Sequence, residues 1–525
     1  MKLTGGQAVV VALEAHGVDI LFGIPGIHTL HLYDALYQQS RIHHVTARHE
    51  QGAGFMADGY ARASGKVGVL LTTTGPGAVN ALTPLGEAHA DSSPVLLIAS
   101  GPVESTVDAD LGTLHEMRDQ FATLHSVCGQ GCRVSTVEEI PEAIAAAFTR
   151  LQRYRPRPYV LEIPLDLFAA KADFEISAPA LPPPSAPYRE DLEQAAALIR
   201  SSTRPLLISG GGAQNTAPEI VRLAEHLHAP VALTSGGLGT FPADHPLFLG
   251  AAEAAGEWVE KSDLVLAIGT RFSERIVKSW KTPPSRLIHL DIDQLVTGRA
   301  FRTDIPLIGD AQSGLQSLLS LLEDDQQHSD WLPEETAAER EKQQSSADTP
   351  FPQILHTLRQ ALDRDAIVAN DMTMICYQAR RLFPVYAPRT FLAPNYYGTL
   401  GFSFPAAIGA KLAQPDRQVV SLCGDGGFLF TAQELSTAPQ QRLSLPILLF
   451  NDHGFTAIRR FQDREFEGRH IAVDVDNPDF QLLARSFGID SARPTSCAAL
   501  SEALKQALQM DLPTLIEVPL AEFAP

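Results

Sequence analysis

Short apolar runs bounded by Gly, Pro and polar residues alternate along this chain with longer segments whose apolar positions recur every three or four residues. The runs read as buried strands and the longer segments as helices. Over 5–17, Val9, Val10, Ala12 and Leu13 set a helical apolar face. A strand is predicted over 20–24, ending in Pro25-Gly26, then a helix over 30–38. A second strand over 42–47 runs into Arg48-His49-Glu50. Residues 52–63, rich in Ala and Gly, read as a tightly packed helix. Strands follow over 67–72 and 94–99, the first turned into a helix by Thr74-Gly-Pro-Gly-Ala-Val-Asn80. Such alternation implies a parallel sheet with helices on both faces. These sheets bind ligands at the carboxyl ends of their strands, where Glu50 and the 74–80 turn fall.

The alternation returns twice. Strands are predicted over 205–212 (entering a glycine turn), 231–234, 264–269 and 287–293, with a helix over 217–227. Further on, strands are predicted over 366–371, 418–423, 445–450 and 513–518. Helices are predicted there over 404–412, 429–438, 479–487 and 497–510. At 525 residues the chain exceeds a single core. The expected fold is α/β: three Rossmann-like, doubly wound parallel-sheet domains at 1–170, 190–325 and 351–525. A stiff linker over 171–189 joins the first two, with five prolines in residues 178–187. A polar, exposed linker over 326–350 joins the last two.

Composition narrows the function classes. With 61 acidic and 41 basic residues the formal net charge is −20, which argues against nucleic acid or an anionic membrane surface as partner. No apolar run reaches the ~18 residues of a spanning helix, and the N-terminus lacks a signal-peptide block, so the cytoplasm is the expected location. Five cysteines form a sparse, odd set, and Cys128 and Cys132 lack a second ligand pair at zinc spacing.

Two strand ends carry candidate chemistry. One strand closes on Gly424-Asp425-Gly426-Gly427 and the next on Asn451-Asp452-His453-Gly454-Phe455. Glycines let backbone approach a phosphate, and a helix start turns free N–H groups toward it. Asp425 and Asp452 are hard oxygen ligands, and Mg²⁺ or Ca²⁺ bridging them to a diphosphate is what that chemistry suggests. An isolated Gly-Asp-Gly is more often an ordinary turn. Gly210–Gly212 lacks the spacing of a dinucleotide fingerprint and reads as a structural glycine turn.

Taken together, four segments resemble thiamine diphosphate (ThDP) dependent enzymes of the acetolactate synthase-like family. They are Arg48-His-Glu-Gln-Gly-Ala-Gly-Phe-Met-Ala-Asp-Gly-Tyr-Ala-Arg62, the 74–80 turn, Gly398-Thr-Leu-Gly-Phe-Ser-Phe-Pro-Ala-Ala-Ile-Gly-Ala-Lys411, and the Gly-Asp-Gly with its Asn-Asp pair 27 residues on. The resemblance implies a pyrimidine-binding, a central and a diphosphate-binding domain. It implies Mg²⁺, or another divalent cation, held by Asp425, Asp452 and the carbonyl of Gly454. The family's commoner residue at the second position is asparagine, so Asp452 is a mild departure. Glu50 is the implied cofactor-activating acid/base, and Leu400 the residue that presses the two cofactor rings together. The implied cofactor contacts also take in Pro25, Thr74, Gly75, Asn80, Asp371, Thr373, Gly398, Thr399, Gly424, Gly426, Gly427 and Phe455. Family members draw the acid and the diphosphate site from different subunits, so a homodimer or homotetramer with active sites at the subunit interface is expected.

The substrate pocket departs from acetolactate synthases. Phe55 replaces a histidine, Leu114-His115-Glu116 replaces Phe-Gln-Glu, Gly26-Ile27-His28 replaces a glycine pair, and 127–132 lacks the active-site lysine. Phe22 to Leu30, Leu114 to Met117, Glu162 to Asp166 and Ile458 to Phe461 are more similar to the 5-guanidino-2-oxopentanoate (2-ketoarginine) decarboxylase-like branch. The expected reaction is decarboxylation of a 2-oxo acid to CO₂ and an aldehyde through a ThDP-bound enamine. His28 and His115 are candidate proton-transfer or substrate groups, and Glu116 a candidate partner for a cationic side chain. A carboligase joining 2-oxo acids or aldehydes, and a ThDP-binding subunit without catalysis, are the alternatives. The Leu249-Gly-Ala-Ala-Glu253 segment departs from the flavin site of acetolactate synthases, and FAD is not expected.

Overall fold

The computed structural model describes residues 2–39, 41–107, 109–174, 181–323, 331 and 349–523. Residues 175–180 of the predicted 171–189 linker and nearly all of the predicted 326–350 linker lie outside the described residues, while the proline cluster at 182–187 lies within them. Contacts divide the chain into two compact units. One comprises Met1–Pro182, Ala366–Cys376 and Leu392–Pro525; the other comprises Pro183–Asp365 and Tyr377–Phe391.

A short antiparallel pair, β1 (Lys2–Thr4) and β8 (Lys171–Asp173), brackets the first sheet in sequence. That sheet is built from β2 (Ile20–Gly23), β3 (His43–Thr46), β4 (Gly68–Thr72), β5 (Val95–Gly101), β6 (Gly131–Arg133) and β7 (Tyr159–Pro164). Its strands are parallel in the order β3-β2-β4-β5-β7-β6. Every residue of β4 and β5 is buried, as expected for a sheet covered on both faces.

The second unit holds β9 (Pro205–Ser209), β10 (Val231–Leu233), β11 (Phe248–Ala251), β12 (Leu264–Ile268), β13 (Leu287–Asp291) and β14 (Ile305–Ile308), ordered β11-β10-β9-β12-β13-β14. The third sheet comprises β15 (Ile367–Asn370), β16 (Phe391–Leu392), β17 (Val419–Gly424), β18 (Pro446–Asn451), β19 (Asp490–Ala492) and β20 (Thr514–Pro519), ordered β16-β15-β17-β18-β20-β19. The chain is therefore three parallel-sheet α/β domains.

In each sheet the strand order reverses beside the first long strand: between β2 and β4, β9 and β12, and β15 and β17. A crevice for a ligand opens at such a reversal, outside the carboxyl ends of the two strands.

Within the first unit, helices Glu50–Ser64 and Ser403–Ala413 touch backbone to backbone. A Cβ on Gly59 would lie 2.1 Å from the Ala406 carbonyl oxygen, and one on Gly409 would lie 1.9 Å from that of Met56. Phe55 meets Phe402 edge to face, with ring centres 5.6 Å apart. The Ala and Gly content read as tight packing thus reflects a helix pair with no room for side chains at its crossing.

One predicted helix is broken. Residues 429–438 form a 3₁₀ turn, Ala432–Leu435, and the start of a short helix, Thr437–Gln440, after a single turn at Asp425–Phe428. Tertiary bonds outweigh helical periodicity here. Thr431 Oγ1 donates to the Gly401 carbonyl at 3.0 Å, and the buried Glu434 carboxylate is drawn to the N–H groups of Arg48 and His49 at 3.1–3.2 Å.

Candidate functional site

Two clusters gather the residues singled out from the sequence, one at the reversal of each sheet in the first unit. At the β2/β4 crevice, Glu50 opens helix Glu50–Ser64, where the helix dipole favours an anion. Glu50 is buried at 9% exposure, and its Oε2 accepts from Asn80 Nδ2 at 3.0 Å. A Cβ on Gly77 would sit 3.1 Å from Oε1 and 2.9 Å from Thr73, so the glycine lets the 74–80 turn close over the carboxylate. Oε1 takes no hydrogen bond among the described residues, which leaves it for a ligand.

Pro25 leads from β2 into the loop bearing His28, and Thr74 follows β4. His28 Nδ1 and Thr74 Oγ1 lie 2.9 Å apart, tying the two strand ends together. The His115 ring is 5.1 Å from that of His28, centre to centre. Burial lowers the His28 pKa, and the neighbouring His115 lowers it further, so His28 is neutral at neutral pH. Gly75 has φ +65°, and a Cβ there would lie 2.4 Å from the His115 carbonyl oxygen. Behind the turn, the Gly75 N–H donates to Gln120 Oε1 at 2.6 Å, and Gln120 Nε2 donates to Glu162 at 2.8 Å. Gln120 has no sequence signal, and it braces the turn that holds Thr74 and Asn80.

A cavity of about 210 Å³ opens beside His28 and Thr74, lined also by Val107, Leu114, Glu116 and Arg118. The Glu116 carboxylate accepts from Leu111 N at 3.1 Å and Thr113 N at 2.8 Å. These bonds hold its pKa down, so it stays ionised at the cavity rim while bracing its own loop.

The second cluster lies at the β15/β17 crevice. Gly424 leads into the turn Asp425–Phe428, and a Cβ on Gly424 would press 2.8 Å from Thr373 Oγ1. A Cβ on Gly426 would lie 2.7 Å from the Phe455 ring, and Gly427 backs onto the Gly401 N–H and Asp371. Asp371 is buried and pushed up to about 6 by desolvation, against hydrogen bonds from Met372 N and Ser403 N. It braces the turn after Gly398-Thr399-Leu400, in which Leu400 is half-buried.

Asp452 follows β18. Burial raises its pKa and the charge of Asp425 raises it further, against the charge of Arg459. Asn477 Nδ2 donates to Asp425 at 2.6 Å and to Asn451 Oδ1 at 3.0 Å, while its buried Oδ1 finds no donor among the described residues. Gly454 bridges Asp474 in antiparallel fashion through the flanking bonds Phe455 N to Val473 O and Val475 N to His453 O, which leave its own carbonyl outside the pairing. Two adjoining carboxylates, an orphan amide oxygen and a spare carbonyl are donors of the kind that would hold a hard divalent cation. Asn477 was not singled out from the sequence; an asparagine in a Pro-bounded loop carries no signal of its own.

In the second unit the reversal crevice is closed. Gly212 N donates to the Gly269 carbonyl at 2.9 Å, and Gly210 and Gly212 pack on Gly269–Thr270. Gln214 donates to the carbonyls of Gly236 and Leu238, and it accepts from Arg389 N at 2.9 Å across the mouth. A separate cavity of about 420 Å³ is lined by Leu238, Gly250, Glu253, Arg275, Tyr377 and Arg380.

The chain matches the thiamine pyrophosphate enzymes in three parts: the N-terminal TPP-binding domain over residues 3–123, the central domain over 192–318 and the C-terminal TPP-binding domain over 371–518. It is 39% identical to a probable 2-ketoarginine decarboxylase of Pseudomonas aeruginosa, covering 98% of this chain and 94% of the relative. It is 35% identical to a probable acetolactate synthase large subunit of Methanocaldococcus jannaschii, covering 98% and 92%. It is 34% identical to the acetolactate synthase large subunit of Corynebacterium glutamicum, covering 100% and 88%. Three matched domains in order, with full-length relatives, place the chain in the thiamine pyrophosphate (thiamine diphosphate) enzyme family.

Proposed function

We propose that the protein is a ThDP- and Mg²⁺-dependent decarboxylase that converts a 2-oxo acid to CO₂ and an aldehyde. ThDP, when bound, supplies a carbon nucleophile and takes up the electron pair left by CO₂. The observation that carries the reading is the His28–His115 pair beside a single-substrate-sized cavity. Release of an aldehyde calls for a proton at the reacting carbon, and a neutral imidazole held by Thr74 is a donor and acceptor matched to neutral pH. Glu50 exchanges the cofactor's proton through its free Oε1. Asp425, Asp452 and the Gly454 carbonyl hold Mg²⁺. The ionised Glu116 at the cavity rim favours a cationic tail, and the Pseudomonas relative's name points to the same substrate class, 5-guanidino-2-oxopentanoate. CO₂ release is measured across a panel of that acid, pyruvate and branched and aromatic 2-oxo acids, with acetolactate assayed in parallel. Turnover of the guanidino acid with aldehyde as product is expected; acetolactate as the main product would replace this reading with carboligation.

We also infer a homodimer or homotetramer without bound flavin. Helix Thr456–Phe466 has no buried residue and shows Ile458 and Phe461 each 52% exposed, an apolar face that a second copy would cover. The closed glycine crevice supports the absence of FAD. Light scattering of one purified preparation is expected to give two or four subunits and its spectrum no flavin band; a monomer or a yellow preparation would overturn the corresponding inference.

A further inference from the structure

The segment bearing Gly398, Thr399 and Leu400 is strapped by a buried charge cluster on helices Glu50–Ser64 and Leu82–Asp91. Glu87 is fully buried. Its Oε2 alone accepts three hydrogen bonds, from Gly398 N at 3.1 Å, Thr399 N at 3.2 Å and Thr399 Oγ1 at 2.9 Å. Its Oε1 faces Arg62 at 4.0 Å. Arg62 pairs with Asp58 at 2.7 Å and Asp91 at 2.8 Å, and donates to the Ala393 carbonyl at 2.8 Å. Asp91 in turn accepts from Asn395 N at 3.0 Å and Nδ2 at 3.1 Å. The Tyr397 ring closes on Gly86, where a Cβ would lie 2.7 Å away. Residues 393–399 are thus gripped at successive points. Gly398 and Gly401, both at φ +77°, flank Thr399-Leu400, so the turn has little stiffness of its own and takes its shape from these acceptors.

We propose that Glu87 is a positioning residue: ionised, it fixes the Gly398–Leu400 turn in the shape that receives the cofactor, and protonated it relaxes that grip. This rests on the reading that Gly398–Leu400 lines the ThDP site.

The charge balance around Glu87 makes its ionisation responsive near neutrality. One guanidinium, Arg62, serves three carboxylates, those of Asp58, Glu87 and Asp91. Among the other titratable groups, Tyr397 lies on the strapped segment, and His89 on Glu87's own helix is bonded to the Cys128 carbonyl at 2.9 Å. Burial first, then the charge of Asp91, push Glu87 up to about 7, against Arg62 and the Thr399 N–H. Because the folded-state value is raised, stability contributed through this group is present at low pH and lost as pH rises through about 7. Cofactor affinity moves the other way. A protonated carboxyl is a weaker acceptor for three donors, so binding weakens as pH falls through the same range. A residue with a purely structural role would move both together.

ThDP with Mg²⁺ is titrated into the apo-protein by intrinsic fluorescence, from about pH 6 to about pH 8.5, with melting temperatures recorded alongside. Wild type is expected to lose about tenfold in affinity toward the acid end, with no loss of apo-protein melting temperature attributable to this group. Glu87→Gln is expected to bind about tenfold more weakly at pH 8 and to lose the pH dependence, while its apo-protein melts no lower than wild type. Thr399→Val, which removes one donor and leaves the buried charges in place, is expected to shift affinity in the same direction by about threefold. Wild-type affinity in both variants at pH 8, or an unchanged acid limb in Glu87→Gln, overturns the proposal. Leu400→Ala separates the two readings. If it is impaired while Glu87→Gln and Thr399→Val are not, only the role of Glu87 falls; if it binds and turns over as wild type, the cofactor reading of the segment falls with it.

Discussion

Glu50→Gln is expected to lower kcat by about 10²- to 10⁴-fold while ThDP and Mg²⁺ still bind. The substitution keeps size and shape, and the new amide oxygen still accepts from Asn80 Nδ2, the one hydrogen bond the side chain makes among the described residues. Helix Glu50–Ser64 keeps its other anchors, the His49 side-chain cap on Gln51 N and the Glu434 carboxylate on the N–H groups of Arg48 and His49. The loss is therefore confined to what a carboxyl does and a carboxamide does not: exchange a proton at the open Oε1. Steady-state CO₂ release at saturating cofactor, beside a ThDP titration and circular dichroism, checks this. A kcat within a few-fold of wild type would remove Glu50 from the proposed chemistry; weakened binding with normal turnover would make it a binding residue instead.

Much of the fold was legible because a covered parallel sheet writes its strands as continuous apolar runs. β4, β5, β17 and β18 are buried at every position, and the sequence shows them as such. β7 was missed for a related reason. Glu162 interrupts its apolar run, and only the structure shows that Gln120 and Arg133 satisfy that carboxylate inside the sheet. The broken helix at 429–438 was illegible locally, since Thr431 and Glu434 are drawn to Gly401, Arg48 and His49. Of the candidate site, the glycine turns and aspartates stood out because phosphate and metal chemistry restricts the residue types. The supports did not. Glu87 reads as one more charge on a solvated helix face until Gly398 and Thr399, more than 300 positions away, are seen to donate to it. Gln120 and Asn477 are likewise ordinary amides whose importance lies entirely in what they touch.

Asp425→Ala is expected to weaken ThDP and Mg²⁺ binding together, with both lost at ordinary working concentrations. Asp425 is 2% exposed and sits beside Asp452, whose ionisation burial and the Asp425 charge already disfavour. A divalent cation bound here would offset the cost of charging Asp452. Taking one carboxylate from a buried carboxylate–cation pair costs about 3–5 kcal/mol of binding, so affinity should fall by about 10²-fold or more. Asn477 survives the change with its bond to Asn451 at 3.0 Å intact, which limits damage to the loop. The apo-protein should gain rather than lose thermal stability, because the substitution removes a like charge from beside Asp452. Calorimetric titration of ThDP at fixed Mg²⁺, and of Mg²⁺ at fixed ThDP, reads the coupled loss. Equal affinity for ThDP in Asp425→Ala and wild type would show that the diphosphate is held without this carboxylate, and the β15/β17 crevice would no longer stand as the metal-diphosphate anchor. Glu50→Gln and Asp425→Ala thus part along different axes, rate for the first and affinity for the second, as two clusters at two sheet reversals require.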